Sequence, residues 1–140
     1  MNREELKTIM PHREPMLLLD EAVCEDGIAC GKYLVKGDEF FLQGHFPGNP
    51  IVPGVIQCEI LAQTACVLLQ GEMAEGKLGM YTGLKNVKFK APVKPGDLFE
   101  TKVRITKHMG AFYFAEGEGC VGDRLCVKGE FSFAVVDAEA

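Results

Sequence analysis

Gly54-Val55-Ile56-Gln57-Cys58-Glu59-Ile60-Leu61-Ala62-Gln63-Thr64-Ala65-Cys66-Val67-Leu68-Leu69 is the stretch on which the fold turns. Its apolar residues, from Val55 and Ile56 through Ile60, Leu61, Ala62, Ala65 and on to Leu69, cover most of a helical wheel. That predicts a helix from Gly54 to about Met73, buried on nearly all sides. Pro53 suits the first turn, and Gly71 lies near the end. Such a helix has to be wrapped, and the flanking sequence reads as strands. After Gly79 the signal is β to the end: Phe99, Thr101, Val103 and Ile105 alternate with Glu100, Lys102, Arg104 and Thr106. Further on, Leu125, Val127, Gly129, Phe131, Phe133 and Val135 alternate with Lys128, Glu130 and Ser132. Upstream, residues 16–24 and 28–36 read as two strands joined by a Glu25-Asp26-Gly27 turn. Asn2, Glu4 and Glu5 open a short helix that Pro11 ends, and Asp38 to Leu42 can form one helical turn. One nearly all-apolar helix with five or six antiparallel strands is an α+β pattern: a curved antiparallel sheet wrapped around one long central helix.

With 140 residues, no internal repeat and no linker, residues 1–140 read as one domain. Hydrophobic residues at 47% exclude a disordered chain. The longest apolar run, around Val67 to Leu69, is far short of the roughly 20 residues that cross a bilayer. Met-Asn-Arg-Glu-Glu is no signal peptide, so the expectation is a cytoplasmic protein with no membrane contact. The six cysteines, at 24, 30, 58, 66, 120 and 126, contain no C-x-x-C pair, which argues against a metal site. Their apolar neighbours predict small buried thiols in a reducing compartment. A net charge of −5 excludes nonspecific nucleic-acid binding, although Lys85, Lys88, Lys90 and Lys94 fall in a run with no acid.

Chemistry concentrates just before the helix, in Gln43 to Pro53, where three prolines and two glycines make a rigid, irregular loop. His45 stands on it, stiffened by Pro47, Pro50 and Pro53, so it loses little entropy when held in one place. Gly54 follows at the helix mouth, where unpaired N–H groups and the helix dipole favour developing negative charge. Glu59 lies five residues on, roughly 7 Å along the axis at about 1.5 Å per residue. A buried carboxyl needs a partner, and Gln63, four residues further, shares its face and can orient it. Each element has a plainer reading. A loop histidine can be a solvated or capping residue, and Glu59 with Gln63 can be a purely structural pair.

The run His45-Phe46-Pro47-Gly48-Asn49-Pro50-Ile51-Val52-Pro53-Gly54-Val55-Ile56-Gln57-Cys58-Glu59 resembles the signature of the 3-hydroxyacyl-[acyl-carrier-protein] dehydratases of bacterial type II fatty-acid synthesis. Three more stretches are similar to that family: Pro11 to Asp20, Asn86-Val87-Lys88-Phe89-Lys90, and Pro92-Val93-Lys94-Pro95-Gly96-Asp97. The likeness runs through nearly the whole chain in order. Glu14 and Met16 stand where the family usually has Tyr and Phe. The resemblance implies a hot-dog fold, a homodimer often assembled as a trimer of dimers, and an active site at the dimer interface with His from one chain and Glu from the other. It implies an apolar tunnel for the acyl chain, and acyl carrier protein, strongly acidic in such systems, as the partner that delivers the substrate on phosphopantetheine.

The residue types fit dehydration. Loss of the proton beside a thioester carbonyl forms an enolate-like species, whose oxygen the N–H groups of Gly54 and Val55 would hold. His45 would take that proton, histidine being the side chain whose charge changes near physiological pH. The hydroxyl needs an acid to leave, and Glu59, or a water it orients, would supply the proton. No metal or organic cofactor is required. Lys85, Lys88 and Lys90, with Lys94, are the candidate carrier-docking patch, against the plainer reading of a lysine-protected strand edge. Two rival activities remain at this stage: dehydration followed by isomerisation to a cis-3-enoyl product, and hot-dog thioesterase hydrolysis. A carboxylate at 59, being Glu rather than Asp, resembles the simple dehydratases, and a proline-stiffened His45 is not a general thioesterase feature.

Overall fold

The computed structural model describes residues 1–73 and 76–138. A short helix α1 (Arg3–Leu6) is closed by a reciprocal capping box between Asn2 and Glu5. Strands β1 (Glu21–Glu25) and β2 (Ile28–Leu34) follow, then a 3₁₀ turn at Phe40–Leu42, the helix α2 (Gly54–Cys66) and a second 3₁₀ turn at Val67–Leu69. Strands β3 (Lys77–Phe89), β4 (Leu98–Met109), β5 (Phe112–Val121) and β6 (Arg124–Asp137) complete the chain. All six strands pair antiparallel in one sheet of order β1-β2-β4-β5-β6-β3. The chain visits one edge, crosses with α2, builds the far edge with β3 and then fills the centre. Helix α2 therefore lies across the sheet, touching β2, β3, β4, β5 and β6.

Local chemistry explains the elements. Asp26 and Gly27 both take positive φ (52° and 76°), which closes the two-residue β1–β2 hairpin with the twist its strands need. Phe99, Thr101 and Val103 on β4, and Val127, Phe131 and Phe133 on β6, turn inward and are buried, as the period-two pattern requires. Gly31 on β2 lets the helix come close: a Cβ there would sit 2.7–2.9 Å from Thr101 Oγ1, Leu19 Cδ2 and Thr64 Oγ1. At that crossing the hydroxyls of Thr64 and Thr101 bond at 2.7 Å, a buried polar pin between helix and sheet.

The structure departs from the sequence reading in four places. Residues 16–20 are not strand, and β1 begins at Glu21. They form a strap held by both backbone and side chains: Met16 and Leu17 N–H donate to Arg13 O, Leu17 O accepts from Arg3, and Met16 O and Leu18 N both bond Gln63. The α-helix stops at Cys66, tightening to 3₁₀ over Val67–Leu69, so the apolar run outlasts the helix. Nor is the helix covered all round, since Val55 is 72% exposed and Glu59 and Ala62, on the same face, are only partly buried. Of the cysteines, Cys58, Cys66 and Cys126 are buried, but Cys24 is exposed and Cys30 and Cys120 are half-buried. Cys24 shares the face of buried Ala22 on β1 but lies near the strand's end and is exposed, and its apolar neighbour Val23 on the other face is exposed as well.

Candidate active site

The loop that carries His45 is closed on itself. Ile51 N–H donates to His45 O at 2.8 Å, and His45 Nδ1 lies 2.8 Å from Ile51 O. Phe46 and Asn49 exchange both backbone bonds inside that ring, and Val52 N–H ties it to Val93 O on the proline-rich segment between β3 and β4. A carbonyl oxygen only accepts, so Nδ1 is the donor here, and in the neutral ring Nε2 is the nitrogen that carries the lone pair. The ring stacks on Phe46 at 4.2 Å between centroids.

Pro53 caps α2 without a side-chain bond. The N–H groups of Ile56 and Gln57 turn back to Pro53 O, while those of Gly54 and Val55 find no acceptor among the described residues. Phe89, at the end of β3, lays its ring on this point. A Cβ on Gly54 would stand 2.8 Å from the Phe89 ring, so only glycine fits while the ring stays there.

Glu59 sits deeper on α2. Its Oε2 accepts from Gln63 Nε2 at 2.8 Å, and His12 Nε2 lies 3.3 Å from the same oxygen. Gln63, fully buried, also donates to Met16 O at 2.7 Å and accepts from Leu18 N–H at 2.8 Å. Its amide orientation follows: reversed, it would set oxygen against both a carbonyl and a carboxylate. Glu59, His12, Cys66, Met80, Tyr81 and Phe133 border a cavity of about 110 Å³. Burial there pushes the Cys66 thiol up to about 12 and raises the Tyr81 phenol, whose OH donates to Cys58 O. Both stay protonated at neutral pH.

Of the residues singled out from sequence, Glu59 and Gln63 meet directly, and Gly54 and Val55 share the helix mouth. His45 and Glu59 do not touch: no hydrogen bond or ion pair joins them among the described residues, and His45 is not part of the Glu59 cavity. Lys88 and Lys90 border a separate groove of about 700 Å³ with Lys102, Arg104 and Lys128, whose side chains project from the sheet face turned away from α2. Lys85 stands in register with Glu130, and Lys94 is exposed on the segment after β3. Two functional neighbours were not read from sequence by their contacts. Phe89 and His12 both lie in stretches that carry the family likeness, but neither periodicity nor spacing reveals what they touch.

Comparison with known proteins converges on one group. Residues 22–130 match the ApeI-like family, described as ApeI dehydratase. The chain is 42% identical over 136 residues to the 3-hydroxyacyl-[acyl-carrier-protein] dehydratase FabZ of Natranaerobius thermophilus, covering 95% of this chain and 96% of that one. It is 41% identical over 140 residues to FabZ of Alkaliphilus metalliredigens, covering 98% and 95%. Among solved structures, the dehydratase heterocomplex ApeI:P from Xenorhabdus doucetiae superposes with a TM-score of 0.81 at 21% identity, covering 94% of this chain and 91% of that one. The fluoroacetyl-CoA thioesterase FlK superposes with a TM-score of 0.67 at 12% identity, covering 79% and 86%. These two structures show a shared hot-dog fold.

Proposed function

The chain belongs to the 3-hydroxyacyl-[acyl-carrier-protein] dehydratase family, and we propose that His45 is the base and Glu59 the acid with which it removes water. It is a hydro-lyase of fatty-acid synthesis that dehydrates a 3-hydroxyacyl thioester carried on acyl carrier protein. The observation that carries the assignment of the base is the His45–Ile51 pairing, which commits Nδ1 as a donor and leaves Nε2 free of any protein partner among the described residues, on a rigid loop. Nε2 takes the proton from the carbon next to the thioester carbonyl, and the Gly54 and Val55 N–H groups hold the thioester oxygen as charge develops on it. Glu59 protonates the departing 3-hydroxyl, directly or through a water, and the product of a (3R)-hydroxyacyl chain is the trans-2-enoyl thioester. The Phe89 ring has to yield room for the thioester at Gly54, and its 53% exposure leaves it space to turn.

The enzyme works as a homodimer, within a trimer of dimers, with His45 of one protomer facing Glu59 of the other. Support comes from the separation of the two residues within one chain and from the uncovered Val55–Glu59–Ala62 face of α2. The acidic carrier docks on Lys85, Lys88 and Lys90, lysines with no ion-pair partner among the described residues. Cytoplasmic placement is supported by six cysteines that all stand as free thiols.

Product analysis on carrier-bound 3-hydroxyacyl thioesters of graded length tests the reaction. Trans-2-enoyl product is expected. Cis-3-enoyl product would add isomerisation, and free acid with intact hydroxyl would make the enzyme a thioesterase.

A further inference from the structure

His12 has no part in the mechanism above, yet it is the second group on the acid. Its Nε2 lies 3.3 Å from Glu59 Oε2, and both side chains are mostly buried, at 22% and 23% exposure. Its other nitrogen, Nδ1, is buried with no hydrogen-bond partner. That orphan is informative, because buried polar atoms are nearly always satisfied. In the tautomer with Nε2–H, Nδ1 is an acceptor without a donor. In the other tautomer, or in the imidazolium, it is a donor without an acceptor. No protonation state repairs it, so the ring is not placed to complete a network of its own. It is placed by what holds the strap.

The strap is held with care. Gln63 spends both amide hydrogens and its oxygen on Glu59 Oε2, Met16 O and Leu18 N–H. Arg13 folds back on Met10 O and Lys7 O, and Arg3 takes Leu17 O. These bonds fix Pro11–Leu19 against the helix at the one point where His12 reaches Glu59. Both of the carboxyl's partners then converge on Oε2, and Oε1 accepts nothing among the described residues.

We propose that His12 is a positioning residue for the acid: with Gln63 it pins Glu59 Oε2 and leaves Oε1 as the oxygen that meets the leaving hydroxyl. The inference rests on the dehydratase reading of Glu59. A carboxyl held by Gln63 alone can swing about that single bond, whereas the His12 ring, 3.3 Å from the same oxygen, limits that swing and so the plane in which the other oxygen lies. Misplacing a catalytic group by about 1 Å can cost on the order of 100-fold in rate.

The test compares His12→Phe, which keeps a ring of similar size and loses the N–H, with His12→Gln, which keeps an N–H at similar reach and loses the ring. Turnover of a carrier-bound 3-hydroxyacyl thioester and thermal melting are measured for both and for the wild type. His12→Phe should lower kcat by about 10- to 100-fold with KM within about twofold and the melting temperature little changed. His12→Gln should recover most of that loss. Wild-type turnover in His12→Phe would overturn the proposal, as would a rise in KM with kcat intact, which would make His12 a substrate contact. Equal losses in both variants with a matching fall in melting temperature would make it a structural residue. If the wild type itself forms no enoyl product, the dehydratase reading fails first, and the proposal falls with it.

Discussion

His45 and Glu59 are each hydrogen-bonded through one atom, which leaves another atom of each free for the chemistry proposed for them. For His45 the tie is Ile51 O on Nδ1, and for Glu59 it is Gln63 on Oε2. The Glu59–Gln63 contact was legible from spacing, since residues four apart on a helix face each other. The tautomer of His45 was not, because it depends on where a loop carbonyl six residues on happens to point. Nor was the His12 contact, which links residues 47 apart through a strap that has no periodicity. Substitution separates chemistry from architecture here. His45→Ala should reduce turnover by about 10²- to 10⁴-fold, the usual cost of losing a general base, and leave the fold intact by circular dichroism. Glu59→Gln can still accept a hydrogen bond from Gln63 but cannot release a proton, so it should lose turnover to a similar degree with little change in melting temperature. A Glu59→Gln enzyme that melts early but turns over normally would make the carboxyl structural.

Helix α2 and strand β3 are where pattern and structure part furthest. Apolar content foretold a buried helix, but it does not say what does the burying, and the Val55 face stays open. The alternation in β4 and β6 translated directly into inward and outward faces, because both strands are central or paired on both sides. Strand β3 is an edge, exposed along most of its length, and it carries a bulge: Asn86, at φ 53°, and Val87 lie between the Lys85–Glu130 and Lys88–Lys128 pairs. Strict alternation puts Lys85 and Lys88 on opposite faces. The bulge brings them to the same one, with Phe89 turned inward onto Gly54. The candidate docking lysines Lys85 and Lys88 and the ring at the helix mouth thus fall within residues 85–89 of one strand, and Lys90 follows directly after it. Reversing Lys88 and Lys90 to Glu should lower kcat/KM for carrier-bound substrate while leaving a pantetheine or coenzyme A thioester nearly unaffected. Added salt should slow the wild type on carrier substrate more than the variant, since complementary surface charge mainly speeds encounter and is screened over about 8 Å at physiological ionic strength. Equal losses on both substrates would assign the lysines to fold or tunnel, and no loss on either to a solvated edge.

At the scale of the whole molecule, the chain leaves one long sheet edge and one helix face uncovered. The far edge of its sheet is β3, thirteen residues long and paired only with β6, a length of open edge that proteins rarely leave uncovered. Phe46, Val55, Met80, Leu84 and Phe89 are all about half exposed or more, and they come from the His45 loop, the helix mouth and that same edge. A second copy seated there would cover the edge and the open face of α2 together, and a two-fold axis would bring each protomer's His45 loop to the other's Glu59. Subunit mixing tests this arrangement directly. His45→Ala and Glu59→Gln chains, each inactive alone, are unfolded, mixed in equal amounts and refolded together. In a shared-site dimer one of the two sites in every mixed pair combines both defects, and the other combines intact His45 with intact Glu59. Random pairing makes half of the dimers mixed, so recovery should approach about a quarter of wild-type activity. The same two proteins refolded separately and combined briefly should stay inactive, which controls for contaminating wild type. If each site draws both residues from one chain, every site carries a defect in every pairing, and co-refolding recovers nothing.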